Sequence, residues 1–186
     1  MLMKSLKTFW KSIFAFGCAI GLVVSAGLQG VAAQTNNTGD SKRACVNRDG
    51  LSFNGIGLWA RLPAVLERYG KPLRIETMPS VNKDRVNATY YYKDVKLLIF
   101  NSIVWKITTL SDAIATQSGI RLFTEYTKVE SMLQIDLKNI NPKGTQTGLY
   151  KAPICPPDPP EVEEFVILRF DQNNRLIEFI VAGVFP

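Results

Sequence analysis

The segment beginning Gly55-Ile56-Gly57-Leu58-Trp59 returns 64 places further along the chain. At that offset Gly55 meets Gly119, Ile56 meets Ile120, Leu58 meets Leu122 and Val65 meets Val129, while Trp59 falls on Phe123, Leu62 on Tyr126 and Tyr69 on Leu133. In the first copy Pro63 suits the opening turn of a helix, where its missing N–H costs nothing. Leu62, Val65, Leu66 and Tyr69 then recur at helical spacing as one apolar stripe. Gly70 can take the left-handed conformation that ends a helix, and Pro72 prevents its resumption. In the second copy Thr124 can cap a helix striped by Tyr126, Val129 and Leu133, although the Gly-Lys-Pro stop is missing. Helices this short must be held by packing on something larger.

The larger element follows the first copy. Ala88 to Tyr92, Val95 to Phe100 and Ile103 to Thr108 are β-branched and aromatic runs, separated by Lys93-Asp94 and Asn101-Ser102. Two-residue separators predict tight hairpins. The implied register sets Tyr90 against Leu97, Phe100 against Ile103, Leu98 against Trp105 and Lys96 against Ile107. Alternation then puts Tyr91, Leu98, Phe100, Ile103, Trp105 and Ile107, with Lys96, on one face, and Tyr90, Tyr92, Val95, Leu97, Ile99, Val104 and Lys106 on the other. The first set is bulkier and is expected to take the helix, leaving the tyrosine face open. The competing reading puts those tyrosines in the core.

Past a small-residue connector at Ser111 to Gln117 and the second helix, Asn139 to Gly144 reads as a loop. A short strand is expected at Gln146 to Tyr150. Pro153, Pro156, Pro157, Pro159 and Pro160 then argue against helix and sheet alike, giving an extended arm over 151–161 that covers the fold. Phe165 to Phe170 and Arg175 to Val181 form a hairpin around Asp171-Gln172-Asn173-Asn174. Phe165, Ile167, Arg169, Leu176, Glu178 and Ile180 share one face, with Val166, Leu168, Phe170, Ile177 and Phe179 opposite. Arg169 and Glu178 can pair on the mixed face, which suits water or a partner.

The amino terminus is a targeting signal. Lys4, Lys7 and Lys11 precede an apolar run ending near Leu28, and Val31-Ala32-Ala33 is a small-residue cleavage site, so residues 1–33 are expected to be removed. An uncleaved anchor or lipidation at Cys18 fits less well, because glycines break the apolar run. Residues 34–44 read as a disordered leader. Losing three lysines and no acids lowers the formal charge from +6 to +3, and residues 41–106 hold 12 Lys/Arg against 5 Asp/Glu while 107–186 hold 7 against 10. Such an imbalance can steer an acidic partner to the first half or dock the halves on each other. Cys45 and Cys155 remain after cleavage, and in an exported chain they are expected to form one disulfide. No histidine occurs anywhere, which removes the commonest general base and every Ser-His or Cys-His nucleophile. No phosphate-cradling glycine motif or Cys-x-x-Cys occurs either. We therefore expect no catalytic residues, no metal, no cofactor and no nucleic-acid partner, and no stable membrane insertion after cleavage.

The reading is α+β: two tandem repeats of short helix plus antiparallel β-meander, about 55–110 and 119–181, helices on one sheet face, within a single domain 45–186. Short helix, Gly-x-Pro stop and aromatic meander together resemble the β-lactamase-inhibitor-like fold, which the secreted β-lactamase inhibitor proteins and the SmpA/OmlA outer-membrane assembly lipoproteins share. Gly57-Leu58, Val65, Leu66, Tyr69-Gly70-Lys71-Pro72 and the strands Val95–Phe100 and Ile103–Thr108 carry the resemblance. It implies a periplasmic or secreted protein-binding module whose sheet face grips a partner protein. Tyr90, Tyr92, Lys106, Arg169 and Glu178 are the expected anchors. The alternative is an accessory component of the bacterial cell envelope.

Overall fold

The structure, a computed structural model, describes residues 44–79, 87–156 and 162–184. The expected signal (1–33), residues 34–43 of the expected leader and 157–161 of the proline-rich arm lie outside the described residues. A short strand β1 (Val46–Asn47) and a 3-10 turn lead into α1 (Leu62–Tyr69). Strands β2 (Arg74–Met78), β3 (Asn87–Tyr91), β4 (Val95–Phe100) and β5 (Ile103–Thr109) follow. Next come α2 (Tyr126–Leu133) and the single-turn helices α3 (Leu137–Ile140) and α4 (Gly144–Thr147). The chain ends in β6 (Leu149–Cys155), β7 (Glu163–Phe170) and β8 (Leu176–Val184). All join one eight-stranded sheet ordered β1-β6-β7-β8-β5-β4-β3-β2, in which β1–β6 is the parallel pair. The fold is α+β. Among the described residues no helix is long and apolar enough to cross a membrane.

Both stripes form the expected helices, each eight residues long, and each is entered the same way. Trp59 N–H donates to Val104 O at 2.9 Å, Val104 N–H to Ala60 O at 2.9 Å and Leu62 N–H to Ser102 O at 2.8 Å. The second half answers with Phe123 N–H to Leu176 O at 2.6 Å, Leu176 N–H to Thr124 O at 2.9 Å and Tyr126 N–H to Asn174 O at 2.8 Å. Trp59 and Phe123 both hold positive φ (68° and 66°), rare for a bulky side chain and sustained by these bonds. Thr124 caps nothing, since Glu125 is the N-cap residue and its side chain makes no capping bond.

The meander differs from the expected register at one place. Phe100 faces Ile103 and Ile99 faces Val104, but Leu98 then faces Lys106 and Leu97 faces Ile107. Trp105 is the extra residue of a β-bulge, which shifts everything beyond it by one. A second bulge leaves Ile177 unpaired between Arg169↔Glu178 and Phe170↔Leu176. It turns Leu176 into the core and Ile177 outward, the reverse of the expectation for both.

The face that takes the helices is also the opposite of the expected one. Val95, Leu97, Ile99, Val104 and Ile107 bury with Val166, Leu168, Phe170, Leu176, Phe179 and Val181. Val65 of α1 and Tyr126, Val129 and Leu133 of α2 close on them, while Leu66, expected in the stripe, is exposed. Charge decides this. The bulge puts Lys106 with Lys96 on the outer face, so the inner set is free of ammonium groups that burial would penalise.

Two further expectations are corrected, and one strand is new. Residues 151–155 of the arm are part of β6, where Pro153 faces Phe165. Proline is tolerated there because β6 lies next to the sheet edge, covered only by the two residues of β1. The short strand expected from Gln146 begins at Leu149, after α4. Strand β2 had no counterpart in the sequence reading.

Cys45 and Cys155 form the expected disulfide, with Cα atoms 5.8 Å apart across a separation of 110 residues. Reduction should therefore lower stability by up to about 4–5 kcal/mol in the chain-entropy account. Denaturant midpoints with and without reductant measure this, and an unchanged midpoint refutes it. Tyr69 gives a second prediction. Its hydroxyl donates to Phe53 O at 2.9 Å and its ring lies 5.1 Å from that of Tyr92. Burial, and then the neighbouring Tyr92, push its pKa from 10.0 up to about 12. A raised folded-state pKa stabilises the fold fully below pH 10 and loses that contribution as pH climbs through about 12. Tyrosinate absorbance should show Tyr69→Phe removing one late-titrating group and flattening the alkaline loss of stability.

Candidate partner-binding face

The sheet has one face under the helices and one face that no described element covers. The uncovered face is built by alternation from the registers. It carries Arg74 and Glu76 on β2, Tyr91 on β3, Lys96, Leu98 and Phe100 on β4, and Lys106 on β5. Across the centre it continues through Glu178 and the buried Ile180 and Ala182 on β8, Glu163, Phe165, Ile167 and Arg169 on β7, and Lys151 on β6.

The five expected anchors divide between the two faces. Lys106, Arg169 and Glu178 lie on the outer one. Arg169 Nε donates to Glu178 Oε2 at 3.0 Å across the bulged hairpin, so this expected pair is formed. Lys106 sits between Leu98 and Ala182, four residues along β8 from Glu178, roughly 13 Å at a strand's rise. Tyr90 and Tyr92 lie on the helix side. Tyr92 is 7 % exposed and its ring packs on Tyr69, while Tyr90 is half-buried against the same core. The open tyrosine on this sheet is Tyr91. Its hydroxyl donates to Glu76 Oε2 at 2.5 Å, and that bond, followed by burial, raises its pKa.

The outer face has an apolar centre and a cationic margin. Leu98, Phe100, Trp105, Gly183 and Val184 line a shallow apolar recess of about 260 Å³. Trp105 forms its wall, edge-on to Trp59 at 4.6 Å and to Phe100 at 5.6 Å. Among the described residues Lys96, Lys106 and Lys151 make no ion pair, and Lys151 Nζ lies 4.0 Å from the centre of the Phe165 ring. Arg74 and Arg169 are neutralised by Glu76 and Glu178 at 3.0 Å each. Glu163, exposed on the same face opposite Val184, offsets one of these cations, so the unbalanced charge is net positive but includes one carboxylate beside the recess. Among the described residues no group of three or more Cys, Asp or Glu side chains converges as a metal site does.

Two buried carboxylates escaped the sequence reading. Glu164 is 4 % exposed on β7 and accepts hydrogen bonds from the Trp59 indole and the Arg48 guanidinium. Arg48 also donates to Pro156 O at 2.9 Å, beside the disulfide. Glu130 on α2 accepts from the Tyr126 hydroxyl at 3.1 Å and from Leu137 N–H at 2.9 Å, docking α3. Burial, then the Glu130 bond, raises the Tyr126 pKa. Alternation on β7 places Glu164 with Val166 and Leu168, a signal available once the strand is begun at Glu163 rather than Phe165.

No protein family model matches the chain, and no curated protein matches it. Among solved structures it is similar to an extracellular protein containing a SCP domain from Bacillus anthracis str. Ames, with 13% identity and a TM-score of 0.46, over 67% of this chain and 43% of that one. A likeness of that depth supports neither a shared fold nor a shared activity.

Removing the Glu164 carboxylate takes a buried acceptor away from two half-buried donors, the Trp59 indole and the Arg48 guanidinium. Glu164→Ala should cost about 3–5 kcal/mol in denaturant unfolding and shift Trp59 emission to the red. A loss under about 1 kcal/mol would place the carboxylate among ordinary surface pairs instead.

Proposed function

We propose that the chain is an exported, non-catalytic module that binds an acidic partner protein on the outer face of its sheet. The observation that carries this reading is the sheet face that no described element covers: an apolar recess and the half-buried Phe165 and Ile167, flanked by Lys96, Lys106 and Lys151, which make no ion pair among the described residues. A recess of this kind takes one apolar side chain of a partner, and unpaired cations around it supply steering and selectivity. Lys106 is the central anchor. Arg169 and Glu178, already paired, fix the margin at the bulged end. Export is supported by the disulfide, which persists in oxidising compartments.

In the same reading the two halves are copies of one helix-plus-meander unit. The matched helix entries, the paired positive-φ aromatics and the two bulges support it. This is the arrangement that the β-lactamase-inhibitor-like resemblance implies, in which both units contribute to one binding face.

The charge-reversed variant Lys96→Glu/Lys106→Glu/Lys151→Glu tests the face, because all three side chains are partly or fully exposed and the core is untouched. Immobilised exported protein should retain an acidic protein from a cell-envelope or culture fraction, releasing it as salt rises. The reversed variant should lose it at least about tenfold. Equal retention by both proteins would move the site off this face.

A further inference from the structure

The two edges of the sheet are finished differently. At one, β6 is covered by the two residues of β1, and the disulfide ties that edge shut. At the other, all five residues of β2 are exposed, preceded by Leu73 at 77 % exposure and with Ile75 at 49 %. Its free backbone groups can be assigned. Tyr92 N–H donates to Val95 O at 2.9 Å, which makes 92 and 95 a hydrogen-bonded pair. Counting back in twos, Tyr90 and Ala88 aim their backbone at β4, so Tyr91, Thr89 and Asn87 aim theirs at β2. Their partners Arg74, Glu76 and Met78 face inward, leaving the N–H and C=O of Ile75 and Thr77 on the open edge.

We propose that a second copy of this chain occupies that edge, with the two β2 strands antiparallel about a two-fold axis at Ile75. In this register Ile75 meets the partner's Ile75 and Arg74 meets the partner's Glu76 on both sides of the axis, while Leu73, whose N–H already donates to Tyr91 O at 2.8 Å, meets the partner's Thr77 through its C=O. The segment is thus self-complementary in charge, as an isologous interface requires. The neighbouring registers are worse. A two-fold at Glu76 opposes two carboxylates, and one at Thr77 sets Glu76 against Met78, so neither gives the two Arg–Glu contacts. The charges are also held in place before pairing. Arg74 Nη1 lies 3.0 Å from Glu76 Oε1, its guanidinium lies 4.1 Å from the Tyr91 ring centre, and the Tyr91 hydroxyl holds the other Glu76 oxygen. The dimer joins the two sheets edge to edge and leaves both outer faces open, so it stands independently of the partner reading. One strand pair is a small interface, and its dissociation constant falls in the micromolar range or above.

Sedimentation equilibrium of the exported protein, at concentrations up to roughly 500 µM, tests this. The expected result is a reversible monomer–dimer equilibrium. Arg74→Glu and Glu76→Arg each oppose like charges at both symmetry-related contacts, and each should weaken self-association at least about tenfold. Mixing these two variants should restore dimer, because each then meets its complement. Ile75→Pro removes an outward N–H and should abolish dimer while leaving the bonds to β3 intact. Circular dichroism confirms that each variant folds, and Arg74→Glu/Glu76→Arg in one chain, which restores complementarity, replaces the mixing test if either single variant does not. A monomer at every concentration, a dimer that all the variants leave unchanged, or charge variants that complementation fails to rescue would each overturn the proposal.

Discussion

Three residue pairs make this molecule one sheet. Lys106 faces Ala182, Ile107 faces Val181 and Thr108 faces Ile180, joining β5 to β8 and so the first meander to the second. Ile107 and Val181 are essentially inaccessible at the centre of the core, and Thr109 Oγ1 reaches across to Phe179 O at 3.2 Å. Without this seam α1 and α2 would each back a small sheet, and a meander of three or four strands buries too little to be stable alone. With it, both helices close on one continuous core. The opposite face of the seam places Lys106 beside Ala182, so the same pairs that merge the cores also merge the two halves of the outer surface.

What could be read in advance was local. The stripes at 62–69 and 126–133, the Asn101-Ser102 turn with both residues at positive φ, and the Arg169–Glu178 contact depend on neighbours a few residues away. The cysteine pair followed from there being only two outside the expected signal. The misread features depend on distant partners. Strand β2 is an exposed edge with little apolar alternation, and it exists because β3 offers it a ladder. Pro153 enters a sheet because the strand beyond it has only two residues. Glu164 is buried because Arg48 and Trp59, both more than 100 residues earlier, arrive to hold it.

The bulges had the largest effect on the candidate site. One unpaired residue reverses the facing of every position beyond it, because side chains alternate with a period of two. Trp105 carries Lys106 to the outer face and Ile107 inward, exchanging the roles that strict alternation from Ile103 assigns them. The bulge therefore leaves Lys106 on the open face with Arg169 and Glu178, whereas Tyr90 and Tyr92, in their expected register with β4, lie inward because the helices take the other face. The tyrosines that looked like a binding surface are packing for α1, and the recess is built from Leu98, Phe100 and Trp105 instead.

The buried knot at Glu164 explains how the chain start finds its place. A buried ion pair adds little net stability over apolar packing, since desolvation offsets most of its attraction. It is strongly unfavourable when any member is missing, which makes it a test of correct assembly. Arg48 from the 3-10 turn, Trp59 from the entry to α1 and Glu164 from β7 meet only when the segment from Arg48 to Trp59 lies over β7. Gly183 completes the fit. A side chain there would come within 2.8 Å of the Trp59 ring, so the indole lies directly on the β8 backbone. The disulfide then closes a geometry already specified by hydrogen bonds.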